Sequence, residues 1–182
     1  MPRQPAIWTV GHSTRPIDEF TDFLRAHDIR LLVDVRTIPR SRHNPQFNTD
    51  RLAKSLKEAG LVSLHMPALG GLRKARTDSI NKGWRNTSFR GYADYMQTEE
   101  FQSAIEELMA YGTDMKTSIM CAEAVPWRCH RSLIADALVI RGWEVWHIMS
   151  PGKATQHILT SFAHSEKGTL TYPKPTDSPS LF

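Results

Sequence analysis

Ser118-Ile119-Met120-Cys121-Ala122-Glu123-Ala124-Val125-Pro126-Trp127-Arg128-Cys129-His130-Arg131 reads as a buried strand, a short loop and the first turn of a helix. Both cysteines of the chain fall in this stretch, beside a glutamate, a histidine and two arginines. In an open α/β sheet, ligands bind where strand turns into helix, because the carboxyl ends of the strands and the positive ends of the helices open there. The stretch therefore predicts a parallel α/β sheet with a site at this strand end, rather than a core segment.

The same alternation runs outward in both directions. Ile7-Trp8-Thr9-Val10 is a short apolar run ending in Gly11-His12-Ser13, and Ile17, Phe20, Phe23 and Leu24 then take helical spacing. Pro16 suits the first turn of that helix, with Ser13 or Thr14 as its cap. Leu31-Leu32-Val33-Asp34-Val35 is a second strand, followed by a loop to Asn48 and a helix from about Thr49 to Gly60. Leu61 to Met66 is a third strand, leading to Pro67-Ala68-Leu69-Gly70-Gly71. Residues 71–90 have no clear period and hold Arg73, Lys74, Arg76, Lys82, Arg85 and Arg90, which predicts a long basic loop with a covering or binding role. Trp84 and Phe89 give that loop something to pack with.

Gly91 to Tyr111 reads as helix broken near Thr98, Thr117 to Cys121 as the fourth strand, and Cys129 to Arg141 as the helix after it. Glu144 to Met149 is the fifth strand, and Ala154 to Ala163 a last helix. This order predicts a three-layer α/β fold: a mostly parallel five-stranded sheet with helices on both faces, plus the basic loop. Residues 1–165 form one domain in this reading. From 166 to 182 the prolines Pro173, Pro175 and Pro179, among Thr, Ser and Asp, predict an extended or disordered tail.

With 182 residues, 40% of them hydrophobic, the chain suffices for one full core and not for two ordinary domains. No run is long enough to span a membrane, and the first residues lack a signal-type apolar core, so a cytoplasmic protein is expected. In a reducing compartment the two cysteines are free thiols or shared ligands rather than a structural bridge. The net charge of +4 is compatible with many soluble proteins. Its concentration at Arg36, Arg40, Arg42 and His43, and again in the 71–90 loop, favours an anionic partner: a nucleotide, a nucleic acid or a phosphorylated metabolite.

In a parallel sheet the strand ends share one edge, which brings His12, Ser13, Asp34, Arg36, Gly70, Gly71, Cys121 and Glu123 around a single crevice. An apolar sheet has no structural need for so many charges there. Cys121, ahead of a helix amino terminus and near Arg128, His130 and Arg131, occupies the environment of a stabilised thiolate. Arg128 falls seven residues after Cys121, one too many for the CxxxxxR phosphatase loop, and Pro126 removes a backbone donor. Cys121, Cys129, His130 and His12 are zinc-type ligands, yet no CxxC or HxxxH spacing is present and two arginines oppose a cation, so no metal is assigned. Glu123 is either a general base or the partner of an arginine. Asp34 and Arg36, two apart on a strand, point to one face and toward one ligand.

Taken together, Val10-Gly11-His12-Ser13, Val33-Asp34-Val35-Arg36 with Pro39, Ser41 and Phe47, Leu69-Gly70-Gly71, and Cys121-Ala122-Glu123 with Pro126 and Cys129-His130-Arg131 resemble, in order, the segments of the bacterial and archaeal family known as domain of unknown function 488. The resemblance covers about residues 7–165. It implies a compact α/β domain with this polar set, and it brings no established reaction.

Two function classes follow. The first is an enzyme acting on a phosphate-bearing substrate, nucleotide or nucleic acid, with Cys121, Glu123, His130 and His12 as catalytic groups. Its binding groups are Ser13, Asp34, Arg36, Arg42, Gly70, Gly71, Arg128, Cys129 and Arg131. The alternative is a non-catalytic nucleic-acid binding or DNA-maintenance protein, with the basic loop on phosphates and Trp84 and Phe89 stacking on bases. The final Ser178-Pro179-Ser180-Leu181-Phe182 resembles a short sliding-clamp-binding peptide through Leu181 and Phe182, with Ser178 where the usual glutamine stands. No cofactor is assigned.

Overall fold

The computed structural model describes residues 3–176. Five parallel strands, β1 (Ala6–Gly11), β2 (Leu31–Asp34), β3 (Val62–His65), β4 (Thr117–Cys121) and β5 (Glu144–Ser150), lie in the order β3-β2-β4-β1-β5. A sixth, β6 (Lys153–Gln156), adds antiparallel to β5 at the edge. The sheet is thus six-stranded rather than five-stranded, and mostly parallel as expected.

Side-chain alternation assigns the two faces. Val10, Leu32, Met120 and Ile148 meet α1 (Ile17–Ala26) and α2 (Thr49–Glu58) through Phe20, Leu24, Leu52 and Leu56. Ile7, Leu31, Val33, Ile119 and Val145 meet α3 (Thr87–Tyr95), α4 (Glu99–Asp114) and α5 (Arg131–Val139) on the other face. Local signals explain the helix starts. The Asn86 side chain accepts from the N–H groups of Ser88 and Phe89, and Thr98 accepts from that of Phe101, which places the break between α3 and α4. No side chain caps α1: Pro16 stands at its start, and Ser13, expected as a cap, instead turns the chain in the left-handed region at φ 52°.

Two expectations fail at the carboxyl end. Residues 154–163 are not a helix, because Pro151 and Gly152 reverse the chain and Gln156 pairs with Trp146. The segment from 166 onward is not simply extended: β7 (His164–Glu166) and β8 (Thr169–Thr171) form a hairpin, and Leu170 and Tyr172 are buried in the core. Residues 177–182, with Leu181 and Phe182, lie outside the described residues. Among those described, no helix is long and apolar enough to cross a membrane.

The 71–90 segment is tied down rather than draped. The Asp94 carboxylate accepts from the Arg76 backbone N–H, the Ser79 hydroxyl and the Asn81 amide, while Asn81 accepts from the Tyr172 N–H. Trp84 packs on Phe89, Phe162 and Tyr172.

Candidate active site

The topology creates one crevice. After β1 and β2 the chain crosses to the α1/α2 face, whereas after β4, which lies between them, it crosses to the α5 face. The connections diverge on both sides of β4, which is the topological switch point of an open sheet. A cleft of about 390 Å³ opens there, lined among others by His12, Arg36, Gly71, Cys121, Glu123, Arg128, Cys129 and His130. These eight residues were named from sequence, and they come together. Arg40, from the first basic cluster, lines the same cleft and is exposed.

The others stand apart from the opening. Asp34 is buried and accepts from the Nε and Nη2 of Arg36 at 2.7–3.1 Å. Arg36 also donates to the Phe47 carbonyl (2.7 Å) and toward His12 Nε2 (3.3 Å), so most of its donors are spent inside the protein rather than on a ligand. Ser13 contributes its backbone, donating to the Ala122 carbonyl. Gly70 packs against Thr37, and Arg42 is exposed away from the cleft. Arg131, expected to hold an anion, is only 1% exposed and turns inward.

The inward turn organises the sulfurs. Arg131 Nε donates to Cys121 Sγ at 3.0 Å, its Nη1 to the Thr9 hydroxyl at 3.0 Å and its Nη2 to the Glu123 carbonyl at 2.7 Å. Its backbone N–H reaches Cys129 Sγ at 3.5 Å, at the amino terminus of α5. Cys121 donates toward the Glu123 carbonyl at 3.9 Å, and the two thiols lie close enough to titrate as a pair. Burial pushes Cys121 up. Coupling to Cys121, together with His130 and Arg131, holds Cys129 well below an ordinary thiol.

His130 completes the arrangement. Its Nε2 donates to the Val35 carbonyl at 3.0 Å, which leaves Nδ1 as the acceptor, 3.6 Å from Cys129 Sγ. A sulfur, a base and a group orienting that base form the geometry of an activated nucleophile. His12 differs. Its Nδ1 donates to the Ser13 carbonyl, its ring stacks on Phe47, and burial lowers its pKa to about 4, so it is neutral and serves as an acceptor for Arg36. The Glu123 carboxylate is exposed and accepts from the Ala124 N–H of its own loop, with no arginine bonded to it.

Gly11 permits this assembly. A Cβ there would lie 1.8 Å from the Glu123 carbonyl oxygen, so only glycine lets the 122–124 loop sit on β1. Sequence reasoning missed Thr9, Asp136, His147 and His157, which carry Arg131 from behind and bear no motif. An aspartate inside the apolar run Leu133–Leu138 was the available signal. Among the described residues, no group of three or more His, Cys, Asp or Glu could hold a metal ion.

The family model described as Domain of unknown function DUF488 matches residues 16–138, which takes in the motifs from Val33 to Arg131 and leaves Val10–Ser13 outside the match. No curated protein and no solved structure matches the chain.

Proposed function

We propose that this chain, which belongs to the DUF488 family, is a thiol-dependent enzyme acting on a phosphate-bearing substrate in the cleft beside β4. The observation that carries this reading is the Cys129 sulfur set between the Arg131 N–H at the α5 amino terminus and His130 Nδ1, with Cys121 on the Nε of the same arginine. In the reaction so read, His130 Nδ1 already holds the proton given up by Cys129, the Cys129 thiolate bonds to the electrophilic centre as that centre's bond to the departing group breaks, and His130 passes its proton to the departing group. Arg40 and Arg128, exposed at the cleft, receive the substrate's negative charge.

A purely nucleic-acid-binding role draws less support from the basic loop. Arg73 lies over the Tyr95 ring, Arg76 pairs with Asp78, and Arg90 donates to the Trp84 carbonyl. Trp84 is packed edge-on or tilted against three aromatic neighbours, which ties it to the fold.

The test is iodoacetamide alkylation of the folded protein across pH, with inorganic phosphate, a nucleoside monophosphate and single-stranded DNA as protecting ligands. Fast labelling confined to Cys129, lost in Cys129→Ser and slowed by a phosphate-bearing ligand, is the expected result. Protection should weaken when Arg40 and Arg128 are both replaced by alanine. Labelling at the rate of an ordinary thiol, unaffected by any of the three ligands, would overturn the reading.

A further inference from the structure

We propose that Thr9, His147, His157 and Asp136 are positioning residues for the thiol pair, holding the Arg131 guanidinium against Cys121 through one unbroken chain of hydrogen bonds. The inference rests on the thiol reading above and specifies what sets the reactivity of that site.

The chain is continuous in distance. Arg131 Nη1 donates to Thr9 Oγ1 (3.0 Å), which lies 2.7 Å from His147 Nδ1. His147 Nε2 is 2.9 Å from His157 Nδ1, and His157 Nε2 is 2.7 Å from Asp136 Oδ1. Tyr172 and the Thr160 N–H complete the Asp136 carboxylate at 2.7 and 3.0 Å. Thr9, Arg131 and Asp136 are at most 1% exposed and His147 is 6% exposed, so the arginine and aspartate ends of the chain are buried, while His157 is half-buried beside a cavity.

Direction follows from chemistry. A guanidinium only donates and a carboxylate only accepts, so with one proton on each ring every link points from Arg131 toward Asp136. Thr9 gives its hydroxyl proton to His147 Nδ1, His147 gives the Nε2 proton to His157 Nδ1, and His157 gives its Nε2 proton to Asp136. Burial keeps His147 neutral, its pKa lowered to about 3. The guanidinium is thereby held by Thr9 and by the Glu123 carbonyl, leaving Nε aimed at Cys121 Sγ. The groups facing the sulfurs from the packed elements are Arg131 on α5, His130 just before it and Tyr92 on α3. His12, Arg36, Glu123 and Arg128 line the same cleft. None of these duplicates the Nε contact to Cys121.

The experiment compares pH–rate profiles for iodoacetamide labelling of Cys129 in the wild type, Thr9→Val, Thr9→Ser and His157→Gln, with far-UV circular dichroism on each. Thr9→Val removes the hydroxyl and should raise the midpoint by about one pH unit, roughly a tenfold loss of thiolate below both midpoints. Thr9→Ser restores the link and the wild-type profile, while His157→Gln shifts the midpoint in the same direction by less. A folded Thr9→Val with the wild-type midpoint would overturn the proposal. Should Thr9→Val fail to fold, an unmoved profile in His157→Gln does the same. A low wild-type midpoint that the variants leave in place removes the relay alone, whereas an ordinary wild-type thiol removes the thiol reading and the relay with it.

Discussion

Replacing Gly11 with alanine tests whether the cleft depends on the close approach of two backbones. The added Cβ would stand 1.8 Å from the Glu123 carbonyl oxygen, 2.7 Å from its carbon and 2.9 Å from Ala124 Cα. All three are backbone atoms, so no side chain can swing aside. The 122–124 loop must lift, straining the packing by about 1–3 kcal/mol. The Glu123 carbonyl moves with it and weakens its 2.7 Å bond from Arg131, a charged hydrogen bond contributing about 1.5–3 kcal/mol. A loss of about 3–5 kcal/mol lowers the Tm of a chain this size by roughly 6–20 °C. Thermal unfolding by circular dichroism, beside the iodoacetamide rate of the still-folded protein at low temperature, reads both consequences. A Tm within a degree or two of the wild type would show that the loop yields freely, and that the architecture assigned to β1 and β4 is wrong.

Asp34→Asn leaves the Arg36 guanidinium buried without its counter-charge, and urea unfolding should register a loss of about 3–5 kcal/mol; a change under about 1 kcal/mol would refute the pairing. Gly71→Ala puts a methyl 3.3 Å from His130 Nδ1, so Cys129 labelling should slow while stability moves by less than about 1 kcal/mol; unchanged labelling would count against His130 as the base. Acid should destabilise the fold through two rings. His12 and His147 are depressed from an ordinary 6.5 to about 4 and about 3, so the folded state binds fewer protons than the unfolded chain below pH 6.5. Their contribution is complete above that pH and declines as pH falls toward those lowered values, at most about 1.4 kcal/mol per unit for each ring. A Tm flat between pH 6.5 and about 4 would contradict the burial of these imidazoles.

The parallel strands were legible because each is a short apolar run closed by a turn signal, as in Leu31 to Val35 and Thr117 to Cys121. The helix expected at 154–163 was misjudged where Pro151-Gly152 had the stronger claim, since a reversal there pairs Gln156 with Trp146. Strand ends located the cleft, because sheet geometry alone brings His12, Arg36 and Cys121 to one edge. What sequence could not supply was the direction of each side chain. Arg131 and Arg128 look alike in a linear reading, yet the first residue of α5 points under the loop and the other outward. The pairing of Thr9 with His147, 138 positions apart, comes from strands adjacent only in the folded sheet.

The place of β1 bears on how the molecule is made. It is made before the other described strands and sits between β4 and β5, so its two edges wait for residues beyond Lys116. At ordinary elongation speeds that interval is roughly 5–20 s, during which an apolar ribbon with both margins open is available to chaperones or to neighbouring nascent chains. Slowing translation between α1 and β4 should therefore lower the soluble yield without altering the finished protein.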